Sequence, residues 1–367
     1  MKIYCITGEA SGDLHGSNFL KELYKKEPTT QVRFWGGDEM QKIAGEPVKH
    51  IKDLAFMGFL EVLMNIKTIL RNITFCKKDI LDFQPDAIVL IDYPGFNLRI
   101  AEWAKEQGIR VVYYVSPQIW AWKQNRVHKI KKVVDKMFVI LPFEKEFYKK
   151  FNVDVEYVGH PLIDAIQNFR NTKPSLEVFD TKKKIIAVLP GSRKQEIKKK
   201  LPVMLEAIKS FDDYTFVIAG APSLEPKFYD QFLVHENIKI VFGRTYDLLN
   251  IATAALVTSG TATLETALFK VPEVVCYKSS SVSYQIAKRL VKIKYISLVN
   301  LILDKECVKE LIQNDCNPKK VKEELAYILP NGKKRSSILK DYEVLEQKLG
   351  GGGASEYVAQ SLIDFLK

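Results

Sequence analysis

Short, unbroken apolar runs alternate along this chain with longer amphipathic segments. Residues 3–7, 32–35, 87–91, 111–115, 137–140 and 155–158 read as strands, several β-branched and continuous enough to be buried on both faces. Residues 17–26, 98–107 and 142–151 lie between them and carry helical periodicity. That alternation predicts helices packed on a parallel sheet. After Gly159-His160-Pro161-Leu162 the pattern pauses at a short helix and a polar stretch, residues 168–174. A second series then runs through 184–189, 215–219, 238–242, 255–257 and 273–277, each followed by helical periodicity. The expected architecture is α/β, with two Rossmann-like doubly wound domains. Their spans are residues 1–168 and 169–349, the boundary falling near residues 165–180. Residues 350–367 form a terminal helix that Gly350–Gly353 frees to turn back across both domains.

One segment, LAFMGFLEVLMNIKTILRN at residues 54–72, departs from the rest in apolarity. Its polar positions Glu61, Asn65, Thr68 and Asn72 follow helical spacing and leave a wide apolar face. Phe59, Leu60, Val62, Leu63 and Ile66 belong to that face, with Lys67 and Arg71 at its border. Packing into a core and lying in a membrane interface are both compatible with this pattern.

Length and composition sharpen the picture. A chain of 367 residues exceeds the size at which one core keeps growing, which agrees with two domains. No stretch reaches the length a bilayer span requires, and the N-terminus enters a strand instead of a signal-peptide core, so a cytosolic location is expected. Cys5, Cys76, Cys276, Cys307 and Cys316 are scattered, without the close pairs of a zinc site or a disulfide framework. The net charge of +11, concentrated at 126–132, 182–184, 193–200 and 288–294, favours anionic partners: phosphates, nucleic acid or an acidic membrane surface.

In open parallel sheets ligands bind beyond the carboxyl ends of strands, and here the unusual residues follow strands. GEASGDLHG follows the first, IDYPGFN the strand at 87–91, and SPQIWAWKQNR the strand at 111–115. The second half supplies LPGSRKQEI and TSGTATLETA. In LPGSR, Gly191 lets backbone approach an anion, Ser192 and nearby amides can donate, and Arg193 offers a planar fork at the mouth of a helix. Ser259, Gly260 and Thr261 repeat this pattern, and Glu265, one turn on, can accept from a ribose diol. Two phosphate-suited turns in one half point to a nucleotide diphosphate. GEASGDLHG is not the dinucleotide fingerprint: its glycines are spaced differently, and acids inside the turn would repel a pyrophosphate. Glu9, Asp13 or His15 can instead hold or deprotonate a hydroxyl, although Asp13 equally suits a helix cap. Asp92 ends an apolar strand, where desolvation raises a carboxylate's basicity. An Asx turn over residues 93–96 is the structural alternative.

Taken together, GEASGDLHG, MGFLEVL, PDAIVLIDYPGFN, YYVSPQIWAWKQNRVHKI, LPFEKEFY, GHPL, LPGSR, SGTATLE, IAKRLVK and ISLVNLI resemble the lipid-A-disaccharide synthases, in the order that family shows and over nearly the whole chain. The resemblance implies a glycosyltransferase B fold with an interdomain cleft and an inverting, metal-independent transfer without a cofactor. The donor would be UDP-2,3-diacylglucosamine and the acceptor 2,3-diacylglucosamine 1-phosphate (lipid X), giving UDP and a β(1→6)-linked disaccharide 1-phosphate in lipid A biosynthesis. It further implies that Asp92 activates the acceptor hydroxyl with Glu9 as partner. Ser11, Ser192, Arg193, Ser259, Gly260 and Thr261 would serve substrate and UDP, Glu265 would bind ribose, and Asn300 would face the substrate unless it is a turn asparagine. Many members carry a second acid where this chain has Gly95, so a carboxylate pair across that turn is not expected here.

The implied lipid substrates account for the greasy segment and the charge: the protein is expected at the cytoplasmic face of the inner membrane, bound peripherally. A UDP-N-acetylglucosamine 2-epimerase is the nearby alternative, with the same fold and no need of an apolar patch. A basic nucleic-acid-binding protein is the alternative from another class, but no recognised module or aromatic-interleaved basic stripe supports it, and no nucleic-acid partner is expected.

Overall fold

The computed structural model describes residues 1–54, 66–172, 183–233, 235–280, 284–285, 288–289, 291 and 293–367. Two compact units emerge: Met1–Ala165 joined by Gly351–Lys367, and Ile166–Gly350. The described chain bears out the α/β alternation with two parallel sheets.

In the first unit, β1 (Lys2–Ile6), β2 (Gln31–Gly36), β3 (Lys49–His50), β4 (Ala87–Ile91), β5 (Arg110–Tyr114), β6 (Lys136–Val139) and β7 (Glu156–Tyr157) form one parallel sheet in the order β3-β2-β1-β4-β5-β6-β7. The AIVLI of β4 is buried throughout, as a central strand covered on both faces demands. Around the sheet lie α1 (Ala10–Lys26), α2 (Asp38–Ala44), α3 (Ile66–Phe83), α4 (Pro94–Glu106), α5 (Val127–Val133) and α6 (Pro142–Lys149), followed by α7 (Pro161–Arg170), within which the division between the units falls. β3, with the sequence KH, carries no apolar run to read, whereas the equally short β7 lies in the run VEYV.

Two elements differ from expectation. The helix expected from Ser17 starts at Ala10, so most of GEASGDLHG is its first two turns. Gly12 and Gly16, poor helix formers, sit there because of contact: a Cβ at Gly12 would stand 2.0 Å from Thr7 Oγ1, and one at Gly16 2.6 Å from Met40 Sδ. The second difference is the orientation of α3. Its buried face carries Asn72, Ile73, Cys76, Asp79 and Ile80, whereas Ile66, Leu70, Phe75 and Leu81 are exposed. Asn72, placed on the polar face from its spacing, is thus turned inward. Phe59, Leu60, Val62 and Leu63 lie outside the described residues.

The final helix belongs to the first unit. It is the last helix in chain order, α14 (Ala354–Leu366). It packs on α1, with Gly353 N donating to Asp164 Oδ1 at 2.5 Å and Tyr357 Oη to Glu156 at 2.9 Å.

The second unit builds its sheet from β8 (Lys184–Leu189), β9 (Tyr214–Gly220), β10 (Ile238–Phe242), β11 (Ala252–Val257), β12 (Glu273–Tyr277) and β13 (Lys309–Ile312), in the order β10-β9-β8-β11-β12-β13. Its helices are α8 (Lys194–Ile208), α9 (Thr245–Ile251), α10 (Thr261–Leu268), α11 (Leu298–Leu303), α12 (Pro318–Ile328) and α13 (Arg335–Leu349). β13, with the sequence KELI, lacks an apolar run and joins the sheet at its edge. In each sheet the strand order reverses once, between β1 and β4 and between β8 and β11. Ligands of such sheets sit beyond the strand ends at that point.

Candidate functional site

The first reversal places the turn after β1 beside the turn after β4. β1 and β4 pair in register, Ile6 opposite Leu90, so Glu9 and Asp92 leave the sheet on the same edge. Glu9 is the N-cap of α1, in extended backbone conformation. Asp92 and Tyr93 both have left-handed backbones, with φ of 47° and 50°, which non-glycine residues adopt only where the surroundings hold them. Three contacts do so. Tyr113 Oη donates to the Asp92 carbonyl at 2.6 Å, Asn97 Nδ2 donates to the same oxygen at 2.8 Å, and the Asp92 amide donates to Tyr114 O at 3.2 Å. The Tyr93 ring lies against Gly8 so closely that a Cβ there would fall 2.5 Å from it. These contacts fix the Asp92 backbone, the Tyr93 amide bonds its carboxylate, and its pKa is pushed up to about 7, first by burial and then by the charge of Glu9. A carboxylate so tuned can take a proton near neutral pH.

The other acids and bases of GEASGDLHG have separate duties. Asp13 accepts from the amides of Gly37, Glu39 and Met40 at 2.7, 2.9 and 3.1 Å, capping α2 from a neighbouring helix. His15 is buried edge-on to His160, with ring centroids 6.3 Å apart, and burial lowers its pKa to about 4. Neither residue is brought to Asp92. Ser11 is partly buried in the first turn of α1.

In the second unit the reversal between β8 and β11 brings LPGSR beside TSGTA, with the Thr258 amide bonded to Leu189 O at 2.9 Å. Gly191 (φ 113°) and Gly260 (φ 131°) take the turns in conformations closed to most side chains. Ser192 is exposed, and Arg193 is the exposed N-cap of α8. Ser259 Oγ donates to Ile296 O at 2.8 Å, and Thr261 opens α10. Glu265 accepts from Tyr246 Oη at 3.0 Å, while burial raises its pKa. The N-termini of α8 and α10 thus stand at one sheet edge, as an anion site requires.

Sequence reasoning missed a pair here. Arg193 Nη1 donates to Glu196 Oε1 at 3.1 Å, and the other oxygen of Glu196 lies 3.5 Å from Lys200 Nζ. That ammonium is nearly inaccessible and also donates to Thr258 Oγ1, joining both turns from beneath. Burial lowers the Lys200 pKa, and Glu196 opposes that effect. The spacing of residues 193, 196 and 200 along one helix face was the available signal; it was obscured by the run KKK, whose first two lysines are exposed.

Asn300 does not join these groups. Fully buried, it donates through Nδ2 to Val308 O and Glu310 Oε1 at 2.8 and 2.9 Å, and its Oδ1 accepts from the amides of Cys307 and Val308. Its amide holds the connection from α11 to β13. Gly95 is exposed, with open space where a Cβ would be.

Comparisons with known proteins fit this arrangement. The sequence profile of the family described as lipid-A-disaccharide synthetase matches residues 3–360. The lipid-A-disaccharide synthase of Syntrophus aciditrophicus is 39% identical over all of this chain and 98% of its own length. The enzyme of that name from Coxiella burnetii is 38% identical over 98% of this chain and 96% of its own. Among solved structures, UDP-GlcNAc 2-epimerase from Neisseria meningitidis bound to UDP-GlcNAc superposes with a TM-score of 0.69 at 14% identity, covering 99% of this chain and 100% of that one. The calicheamicin glycosyltransferase CalG4 gives 0.61 at 14% identity, covering 100% and 98%. At that identity the two structures speak for the fold.

Proposed function

Because the chain belongs to the lipid-A-disaccharide synthase family, we propose that the two strand edges divide one inverting glycosyl transfer between them. The activity is formation of the lipid A disaccharide from a UDP-sugar and lipid X, and full-length sequence identity favours it over the epimerase, which shares only the fold. The Asp92 carboxylate accepts the proton of the acceptor 6-hydroxyl as that oxygen attacks the donor's anomeric carbon. The bond from that carbon to the diphosphate breaks, UDP leaves with the electron pair, and the α-linked donor becomes a β-linked product. Glu9 keeps Asp92 basic. The observation that carries this assignment is the placement of Asp92, its backbone fixed by Tyr113 and Asn97, at the strand reversal beside the turn that bears Glu9, where burial raises its pKa.

The charge gathering on UDP falls to the second unit. The amides at the starts of α8 and α10, Ser192, Arg193, and Ser259 to Thr261 receive the diphosphate, and Glu265 the ribose. Preorganised donors of this kind contribute about 3 kcal/mol each when a single one is removed from comparable sites. Lys200 shares Glu196 with Arg193, so that Glu196 does not neutralise the arginine alone. UDP is itself the leaving group, and the transfer calls for no cofactor. Asn300 acts by shaping the fold around residues 307–310.

The substrates carry acyl chains, so the catalyst works at a bilayer surface. Among the described residues no helix is long and apolar enough to cross a membrane. The exposed Ile66, Leu70, Phe75 and Leu81 of α3, with Lys67 and Arg71 beside them, continue the greasy segment and suit the anionic cytoplasmic leaflet of the inner membrane. Leu70→Ser with Phe75→Ser should weaken binding to anionic vesicles; unchanged partition removes this part of the reading. The activity itself is tested by following UDP release and disaccharide formation from UDP-2,3-diacylglucosamine and lipid X. Epimerisation of UDP-N-acetylglucosamine without any disaccharide would overturn it.

A further inference from the structure

The turn after β5 has no task in the transfer as described, yet it adjoins the Asp92 turn. β4 and β5 pair with Ile91 opposite Tyr114, so SPQIWAWKQNR leaves the sheet beside Asp92, and Tyr113 Oη reaches the Asp92 carbonyl. The loop is fixed by buried groups of α6: Ser116 Oγ lies 2.7 Å from Tyr148 Oη, and Trp120 Nε1 donates to Glu144 at 3.2 Å. It also contains strain. Val115 has φ of 64°, which is costly for a β-branched residue, and Lys123 has φ of 53°. Such strain gathers where a site over-determines its backbone.

What the loop presents is positive and, among the described residues, without an acid partner. Trp122 is 38% exposed, with Lys123 Nζ 4.4 Å and Arg126 Cζ 5.7 Å from its ring centroid. Arg99 of α4 adds a third cation whose charge acts on Arg126. Among the described residues no carboxylate comes within ion-pair distance of Arg99, Lys123 or Arg126. Elsewhere on the first unit surface cations commonly find acids, as Lys105 does with Asp135 and Lys129 with Glu102. Like charges gathered around the loop that leaves the sheet beside the Asp92 turn repel one another until an anion arrives.

We propose that Lys123 and Arg126, framing the ring of Trp122, bind the 1-phosphate of the acceptor sugar. The inference rests on the transferase reading and deepens it. The acceptor presents its 6-hydroxyl to Asp92 and carries a phosphate at C1, across the pyranose ring, so a cationic site must lie to one side of the base. A phosphate monoester is close to dianionic at neutral pH and calls for two donors. The indole offers the flat apolar surface on which the sugar ring rests between the two ends.

The test uses the full chain in neutral-detergent micelles, with lipid X and with the same diacylglucosamine lacking its phosphate. Arg126→Ala and Lys123→Ala should raise the KM for lipid X roughly 10- to 100-fold and leave the KM for the UDP-sugar in place, since each removes a hydrogen bond to a charged group. Arg126→Lys should recover part of the loss. Removing the phosphate and removing the cation should not add: the variant with the dephosphorylated acceptor should be no worse than wild type with it. Equal losses on both acceptors, or a loss confined to the donor's KM, would overturn the proposal. So would normal kinetics in neutral micelles with a defect only on anionic vesicles, which would assign the cations to membrane headgroups. Wild-type chain that made no disaccharide from either acceptor would overturn the transferase reading beneath it, a failure plainly different from the others.

Discussion

The two sheet edges solve opposite electrostatic problems with the same backbone device. At the edge of the first sheet, two acids leave from neighbouring turns on either side of the strand reversal, and burial, with the charge of Glu9 second, raises Asp92 to about 7. At the edge of the second, helix N-termini and glycine turns gather positive potential, and the acid that intrudes, Glu196, is shared by Arg193 and Lys200. On the proposed reading, one edge keeps a proton acceptor basic and the other receives a departing anion, so that one doubly wound pattern, repeated, divides a transfer into proton removal and charge stabilisation.

The comparison breaks most sharply at Asp92. Asp92→Asn should lower kcat about 10³-fold, the middle of the range for a lost general base, with donor KM little changed. The pH profile sharpens this. Because the working form is deprotonated, the wild-type rate should fall as pH drops through about 7, approaching tenfold per unit below it. Glu9→Gln removes the smaller of the two causes, so the acid limb should move to lower pH without reaching that of an ordinary aspartate. A variant at position 92 with near-normal turnover, or an acid limb indifferent to Glu9, would end the assignment.

The second edge should yield in two steps. Arg193→Ala should cost roughly 100-fold in kcat, as a lost donor to the leaving group does. Lys200→Met should cost less, about tenfold, because Lys200 works through Glu196 and Thr258. The informative variant is the pair: adding Glu196→Gln to Lys200→Met should restore part of the rate, since the uncompensated carboxylate is then gone. A structural role alone would make the double variant worse than either single one. UDP affinity, measured by calorimetry, should follow the same order.

What the sequence disclosed, and what it hid, follows the reach of each interaction. The strand-end turns were legible because apolar runs, glycines and acids lie within a few residues of one another. The start of α1 was not, because Gly12 and Gly16 break local helix propensity for contacts with Thr7 and with Met40, the latter 24 residues beyond Gly16. Lys200 was hidden in a lysine run, where burial is decided by a threonine 58 residues away. Asn300 was legible as polar and placed, but not as satisfied, since its partners come from residues 307–310, a segment leading into a strand without apolar periodicity. In α3 spacing alone does not say which face meets the core: Asn72, from the polar side of the pattern, is buried with Ile73, Cys76 and Ile80, while Ile66 and Leu70 are exposed.

Asp13 supplies the smallest effect and the cleanest control. It sits four residues from Glu9 in the same motif, and by composition the two acids are equals. The structure separates them: Asp13 accepts three amides at the start of α2, among them Gly37, where a Cβ would fall 2.7 Å from its oxygen. Losing a side-chain cap costs about 1–2 kcal/mol, so Asp13→Ala should lower the thermal midpoint and the denaturant midpoint together. Its folded fraction should turn over at the wild-type rate with an unshifted acid limb. Should the limb move with Asp13 as it does with Glu9, the field at Asp92 is set by the whole first turn of α1, and the division of the motif into one chemical acid and one structural acid fails.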